Sequence, residues 1–374
     1  MRRLIATLRM IFLAGVVFVV CAAEVQAQQY LYTNNNVSSG ANSATALKVS
    51  SKGVVKVIKT YPTGGKSAGS GYFALSPITS ARTALGTCLF VSNGGNSTIA
   101  AFQVDLFDGM LTAVKGSPFS DGESSDQRFG VGLAAGGSLL FAGNTDNNSI
   151  SVLRISSQCS LTLLTKVAVP GSPAGMKVTP DKQFLIVAYI GQVDSFSIDF
   201  ATGHLKELGP FTPQGSAAGV EISCDSSKAY FGDAAANTQV EVFTIDSAGG
   251  LKEHQNFTNN NGESSNNVLL SEDETHLYVS NTMSNEITTL SDSDGTLSYD
   301  NTVKLNKPGL YALGLTMGKS GRDIFVSEEN NPEAIGALAI DGNTVVEVPG
   351  SPFSVIDNGS DPAGVTAVPP KVCR

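Results

Sequence analysis

Short apolar runs that each end in a turn-forming residue recur along the chain. Their starts are 44–58 residues apart, and they read LYTNN (31–35), LFVSN (89–93), LFAGN (140–144), LIVAY (185–189), AYFGD (229–233), LYVSN (277–281) and IFVSE (324–328). Runs of β-branched and aromatic residues bounded by turn formers predict β-strands. Their regular recurrence indicates a repeat architecture in which each copy is one supersecondary unit.

The residues around each apolar run predict three further strands. Downstream lies an alternating segment such as VEVFTID (240–246) or IGALAID (335–341), which ends on Ser or Asp in every copy. Period-two alternation is typical of a strand with one buried face. Another strand precedes the apolar run, as in AGMKVTPD (174–181), and turns such as GGL (249–251) introduce the last one. Four antiparallel strands in seven copies predict an all-β fold, the seven-bladed β-propeller.

The two ends of the repeat region complement each other. The first apolar run has no strand before it, whereas DPAGVTAV (361–368) resembles a first strand with no second strand after it. We therefore expect the C-terminal strand to join the N-terminal blade and close the ring, because closure leaves few exposed sheet edges. No linker or change of composition interrupts residues 28–374, which are predicted to form a single domain.

The pentapeptide GSPFS occurs twice, at 116–120 and at 350–354. Both copies occupy the same place in their repeats, in blades 2 and 7. Gly and Pro favour turns, so we interpret the pentapeptide as the link from one blade to the next, with its Phe packed between blades.

Residues 1–27 have the pattern of a secretory signal peptide. A basic start with Arg2, Arg3 and Arg9 precedes the apolar run IFLAGVVFVVCAA, and Ala27 suits the cleavage site. The run is short for a membrane span, so we expect cleavage, no membrane insertion and a periplasmic or secreted protein. The formal net charge of −9 is unsuited to nucleic acid, which requires basic patches.

In a propeller of this topology, the turns between second and third strands and the links between blades share one face, here called the top. The other turns form the bottom. All four cysteines after residue 27 map to the bottom: Cys88, Cys159, Cys224 and Cys373. Their spacing matches no zinc pattern, and no metal or cofactor is expected. An oxidising compartment favours disulfides over the alternative of buried free thiols. We predict Cys88–Cys159, from adjacent blades, and Cys224–Cys373.

The residue that closes each apolar run falls at the top face. These seven residues, here the strand-end column, are Asn35, Asn93, Asn144, Tyr189, Asp233, Asn281 and Glu328. Asn93, Asn144, Asn281 and Tyr189 are candidate ligand-binding residues, although Asn in this place is also ordinary turn chemistry.

Charged residues at the top face supply the candidate chemistry. Asp233 and Glu328 are candidate general bases, with solvated loop carboxylates as the alternative interpretation. Arg128 lies in the link before blade 3 and is the candidate for holding an anion.

The YVSN of Tyr278–Asn281, followed by an alternating strand and a DG turn, resembles the YVTN and lactonase-like β-propellers. That family includes 6-phosphogluconolactonases, so the resemblance implies a seven-bladed fold and lactone hydrolysis at the top face. Relatives often carry Pro-Arg-His at the start of a first strand. The matching positions here are Pro173-Ala174-Gly175 and Pro362-Ala363-Gly364, and His204, His254 and His276 map to the bottom or the rim.

Two functions follow from these observations. We favour an exported, non-catalytic binding or interaction module, because no histidine maps near the top mouth of the propeller's central channel. Its partner would be an unidentified protein or a small sugar-like ligand at the top face. The alternative is a lactone hydrolase in which Glu328 or Asp233 activates water and Arg128 stabilises the carboxylate or oxyanion.

Overall fold

The computed structural model consists of seven antiparallel sheets that follow one another along the chain as the blades of a propeller. It describes residues 28–36, 40–68, 74–124, 126–189, 191–213, 215–234, 240–258, 264–306, 311–329, 334–355, 364–370 and 373. The signal peptide predicted over 1–27 lies outside the described residues. The seven-bladed architecture predicted from the repeats is confirmed.

The first three blades include the one that is assembled from both ends of the chain. Blade 1 consists of β1 (Gln29–Asn34), β2 (Ala41–Val49), β3 (Val55–Lys66) and β30 (Gly364–Val368). Blade 2 consists of β4 (Ile78–Thr83), β5 (Gly86–Asn93), β6 (Thr98–Val104), β7 (Leu111–Ala113) and the short β8 (Phe119–Ser120), with a 3-10 turn at Gly94–Asn96. Blade 3 consists of β9 (Val131–Gly136), β10 (Leu139–Asn144), β11 (Ser149–Ile155) and β12 (Leu161–Ala168).

The remaining blades use consecutive strands. Blade 4 consists of β13 (Gly175–Val178), β14 (Phe184–Tyr189), β15 (Gln192–Ile198) and β16 (Leu205–Phe211). Blade 5 consists of β17 (Ala217–Ile222), β18 (Lys228–Asp233), β19 (Val240–Ile245) and β20 (Leu251–Phe257). Blade 6 consists of β21 (Ser265–Leu270), β22 (His276–Asn281), β23 (Glu286–Ser293) and β24 (Thr296–Lys304). Blade 7 consists of β25 (Tyr311–Met317), β26 (Asp323–Glu329), β27 (Ala334–Asp341), β28 (Thr344–Glu347) and β29 (Phe353–Ser354).

The ring closes in blade 1, where β30 pairs antiparallel with β1 and places Val365 opposite Thr33. The hydrophobic core lies between neighbouring blades, because each blade presents apolar side chains on both of its faces. One such cluster joins Phe90 and Ala101 of blade 2 to Leu133 of blade 3. Among the described residues, no helix is long and apolar enough to cross a membrane.

The two GSPFS copies have the same structure. Gly116 and Gly350 adopt φ of +91° and +92°, a region that favours glycine. Ser117 Oγ accepts a hydrogen bond from the N–H of Ala101 at 2.9 Å, and Ser351 accepts the equivalent bond in blade 7 at 3.0 Å. Phe119 packs against the core between blades 2 and 3, and Phe353 packs against the core between blades 7 and 1. The pentapeptide therefore links blades, as predicted.

Two disulfides join distant parts of the chain at the bottom face. Cys88 of blade 2 is bonded to Cys159 of blade 3. Cys224, in the β17–β18 turn of blade 5, is bonded to Cys373 in the C-terminal tail. Because the tail leaves β30 in blade 1, the second disulfide fastens it to a blade that is not a neighbour of blade 1 in the ring.

Candidate functional site

Every residue of the strand-end column is buried. Each of the seven side chains is at most 1% exposed, although each lies at the top end of its second strand. The third strand of each blade places another residue against it, two positions beyond the cross-strand partner. These facing residues are Thr45, Ala100, Ser151, Asp194, Glu241, Thr288 and Gly336.

The asparagines of the column donate hydrogen bonds within their own blades. Asn35, Asn144 and Asn281 donate from Nδ2 to the facing hydroxyls of Thr45, Ser151 and Thr288, at 3.0, 2.9 and 2.8 Å. In blade 2 the facing residue is Ala100, and Asn93 donates instead to Thr98 Oγ1 at 3.1 Å. These amide donors stabilise the end of each blade.

Blade 4 carries a buried tyrosine and carboxylate in place of the Asn–hydroxyl pair. Tyr189 faces Asp194, which is 0% exposed. The pKa of Asp194 is raised to about 6, mainly by burial and in the same direction by nearby Glu207. Gln192 opposes the shift by donating from Nε2 to Asp194 Oδ1 at 2.8 Å. Burial also raises the pKa of Tyr189.

Blade 5 holds two buried carboxylates, Asp233 and Glu241, which accept hydrogen bonds from two consecutive backbone N–H groups. The N–H of Gly215 donates to Glu241 Oε1 and the N–H of Ser216 donates to Asp233 Oδ1, each at 2.7 Å. A Cβ atom at position 215 would overlap the Asp233 carboxylate, so only glycine fits there. The dipeptide therefore holds the two carboxyl groups close together.

In blade 7 the strand-end residue is larger and its facing residue is smaller than in blades 1, 3 and 6. Glu328 is 0% exposed, and its facing residue is Gly336. A Cβ atom at Gly336 would overlap Glu328 Oε1. The longer glutamate therefore occupies the space that Thr or Ser takes in blades 1, 3 and 6.

Arg128 lies at the surface of the top face. Its side chain is 79% exposed, and its Nε lies 3.6 Å from Asp146 Oδ1. Asp146 also accepts the N–H of Phe129 at 3.0 Å. Arg128, Asp233 and Glu328 belong to blades 3, 5 and 7, so no two of them come from adjacent blades.

Apolar side chains occupy the propeller axis near the top face. Leu75, Ala218 and Leu313 pack together although they come from blades 2, 5 and 7. The N–H of Leu75 donates to the carbonyl of Ala174 at 2.7 Å. This hydrogen bond joins blades 2 and 4, which are not neighbours in the ring. The segment before β4 therefore reaches across the ring, and the buried carboxylates lie around an apolar centre.

Asp194 and Glu241 are missing from the candidates predicted by sequence. The signal that could have found them is the register of the hairpin, since both lie two positions beyond the cross-strand partner of a strand-end residue. The histidines lie where the repeat predicts them: His204 in the β15–β16 turn, His254 within β20 and His276 at the start of β22. Within the described part of the chain, no group of three His, Cys, Asp or Glu could hold a metal ion.

The fold and the repeat define a seven-bladed β-propeller. Within this class the chain resembles the lactonase family: the sequence model described as "Lactonase, 7-bladed beta-propeller" matches residues 83–222. The resemblance indicated by the YVSN repeat is confirmed. No curated protein sequence matches the chain.

Solved structures share the fold over most of the chain. A candidate 6-phosphogluconolactonase from Bacteroides fragilis superposes with a TM-score of 0.73 at 16% identity, covering 92% of this chain and 99% of its own. Another, from Bacteroides uniformis, has a TM-score of 0.70 at 14% identity and covers 92% and 100%. The periplasmic gluconolactonase of Pseudomonas aeruginosa has a TM-score of 0.60 at 17% identity and covers 70% and 81%. At these identities the likeness extends to the fold alone.

Proposed function

We propose that the protein is a lactone hydrolase that opens a small sugar lactone to its hydroxy acid. The observation that carries the proposal is the match of the lactonase family model to residues 83–222. The comparisons favour this function over the non-catalytic module that the absence of histidine suggested. Carboxylates can replace histidine as proton acceptors, and blades 4, 5 and 7 bury one, two and one of them at the strand-end pair.

Lactone hydrolysis requires a proton acceptor and a proton donor. Water adds to the carbonyl carbon and gives up a proton, the ring C–O bond breaks, and the departing alkoxide takes up a proton. Asp233 and Glu241 are supported for these two roles because adjacent peptide N–H groups hold them together. Glu328 is the second candidate for the base. The proposal requires that lactone and water reach the end of β18 or β26.

The charge at the top face favours an uncharged lactone over a phosphorylated one. Recognition of a phosphate requires cations whose charge is not already used. Two of the top-face cations are already paired with carboxylates: Arg128 with Asp146, and Lys166 with Glu123 at 3.3 Å. We also propose export to the periplasm or beyond, on the pattern of residues 1–27, and sugar phosphates belong to cytosolic metabolism. The substrate class proposed is therefore a neutral aldonolactone.

Activity is tested by following acid release in a pH-stat over a panel that includes δ-gluconolactone and 6-phosphogluconolactone, with spontaneous hydrolysis subtracted. We expect turnover of the neutral lactone, and a decrease in kcat of about a hundredfold or more in the variant that has lost its base. The variants are Asp233→Asn, Glu241→Gln and Glu328→Gln. Glu286→Gln is the matched control, because Glu286 is a top-face carboxylate outside the strand-end pairs.

Circular dichroism of each variant separates loss of folding from loss of chemistry. If the wild-type protein opens no lactone in the panel, the hydrolase proposal fails and the binding module remains. If Asp233→Asn, Glu241→Gln and Glu328→Gln all retain wild-type kcat, the assignment of the base is wrong even though the protein is a lactonase.

A further inference from the structure

A cavity on the bottom face lies at the seam between blades 1 and 7, away from the strand-end column. Its volume is about 480 Å³, within the range of small-molecule sites. Three segments line it: the start of β1 at Gln28 and Gln29, the β2–β3 turn at Ser50 and Ser51, and the β25–β26 turn from Lys319 to Asp323. We call it the seam cavity.

Cations outnumber carboxylates in the lining of the seam cavity. Lys319 and Arg322 contribute positive charge, and Asp323 is the one carboxylate among the described lining residues. Glu272, which is outside the lining, lies against Gly321 of the same turn. Burial raises the pKa of Asp323, which disfavours its negative charge. Although the whole chain carries a formal net charge of −9, residues 28–104 contain no Asp or Glu, so the blade 1 wall of the seam cavity adds no negative charge. A small anion is the ligand that this charge favours.

The seam cavity also offers hydrogen-bonding groups that the protein does not use itself. Gln29 Nε2 is buried and has no hydrogen-bond partner among the described residues. Leaving a buried donor unsatisfied is costly, so an acceptor supplied by a ligand would be favourable. Ser50 Oγ accepts the N–H groups of Lys52 and Val54, at 3.3 and 3.1 Å, which leaves its O–H to donate.

We propose that the seam cavity binds a small hydroxy-carboxylate. Lys319 and Arg322 bind its carboxylate, and an arginine fork suits the two oxygens of that group. Gln29 and Ser50 donate to its hydroxyl oxygens, and the Asp323 carboxyl accepts from a hydroxyl. Phosphate alone would use the cations but would leave the remaining hydrogen-bonding groups without partners. The site stands on the cavity and its lining, and it is independent of the proposed activity.

Isothermal titration calorimetry with D-gluconate tests the proposal directly. We expect saturable binding of one gluconate per chain. Sorbitol lacks the charge, acetate lacks the hydroxyl groups and inorganic phosphate replaces the carboxylate, so each should bind about tenfold more weakly or not at all. No turnover is involved, so the outcome does not depend on lactonase activity.

Three substitutions map the binding to the seam cavity. The double variant Lys319→Gln/Arg322→Gln should weaken gluconate binding about tenfold or more. Ser51→Glu, in an exposed turn, should weaken it by charge repulsion without touching the core. Lys52→Gln is the control, because Lys52 lies in the same turn but outside the lining. The affinity of this variant for gluconate should stay within about twofold of wild type.

The proposal is overturned if gluconate shows no saturable binding, or if its affinity is unchanged in the double variant and in Ser51→Glu. Equal affinity for inorganic phosphate would also overturn it, since the cavity would then recognise charge alone. Thermal unfolding of each variant establishes that a loss of binding is not a loss of folding.

Discussion

At the scale of single residues, the link after blade 2 differs from the links after blades 3, 6 and 7 because it contains a buried carboxylate, Asp121. Asp121, Val169 and Leu305 hold equivalent positions, because each donates its backbone N–H to the last residue of the top-face turn in its blade, at 3.1, 2.9 and 3.0 Å. After the second GSPFS the same position is Val355. Asp121 is 0% exposed, and burial raises its pKa to about 6.

We predict that Asp121→Val stabilises the protein at neutral pH. The folded state holds a proton more tightly than the unfolded chain, so stability is highest below about pH 4 and decreases as pH rises to about 6. A shift of about two pKa units corresponds to about 3 kcal/mol. Losing the bond from the N–H of Glu123 to Asp121 Oδ1 costs about 1 kcal/mol. The free energy of unfolding should therefore rise by about 2 kcal/mol at about pH 8.

Urea unfolding at about pH 4 and about pH 8 measures this difference. The variant should gain most at the higher pH and little at the lower one. Val355→Asp is the reciprocal control and should lose stability as pH rises. A variant Asp121→Val with the same pH dependence as wild type would contradict the assignment.

At the scale of the blade, the strand-end pair is the unit that varies. The same space is filled in two ways. In blade 6 it holds Asn281 and the side chain of Thr288, whereas in blade 7 the longer Glu328 faces Gly336, which has no side chain. Volume must be conserved across a buried pair, because interiors are close-packed. The residue that closes a second strand is therefore coupled to one on the third strand, and neither can be interpreted alone.

We predict that Gly336→Thr destabilises the protein by about 2 kcal/mol, because the new side chain overlaps Glu328. The double variant Glu328→Asn/Gly336→Thr recreates the pair of blade 6 and should recover much of the loss. A double-mutant cycle by urea unfolding measures the coupling free energy. Asn281→Glu, placed against Thr288, is the matched control and should destabilise blade 6. A double variant no more stable than Gly336→Thr would refute the coupling.

At the scale of the molecule, two devices hold the ring together across its centre. β30 completes blade 1, and the tail beyond it is bonded through Cys373 to Cys224 of blade 5. The cluster of Leu75, Ala218 and Leu313 joins blades 2, 5 and 7 near the top. These contacts between blades that are not neighbours add to the closure of blade 1 by β30 and oppose opening of the ring.

We predict that Cys224→Ser/Cys373→Ser lowers the free energy of unfolding by about 2–4 kcal/mol, because the closed loop between these cysteines no longer restricts the unfolded chain. The tail should also become sensitive to carboxypeptidase, since it is no longer fastened to blade 5. Cys88→Ser/Cys159→Ser is the control: it loses a disulfide between adjacent blades but should leave the tail resistant. Equal resistance of the tail in both double variants would show that β30 alone anchors it.

The sequence by itself determined the strands, the seven repeats, the blade links and the closing strand. These features depend on local alternation and on turn residues, which are visible in any short segment such as LYVSN or GSPFS. Tyr189, Asp233 and Glu328 also stand out in the sequence as departures from the repeat, and their place in it predicts side chains beside the central channel.

Only the tertiary structure decided that these side chains are buried, that Asp194 and Glu241 face two of them, and that Leu75 lies on the axis. Each of these facts depends on which residues meet after the hairpins pair and the ring closes. The partner of a side chain is then set by register and by distant blades, and neither is a property of the local sequence.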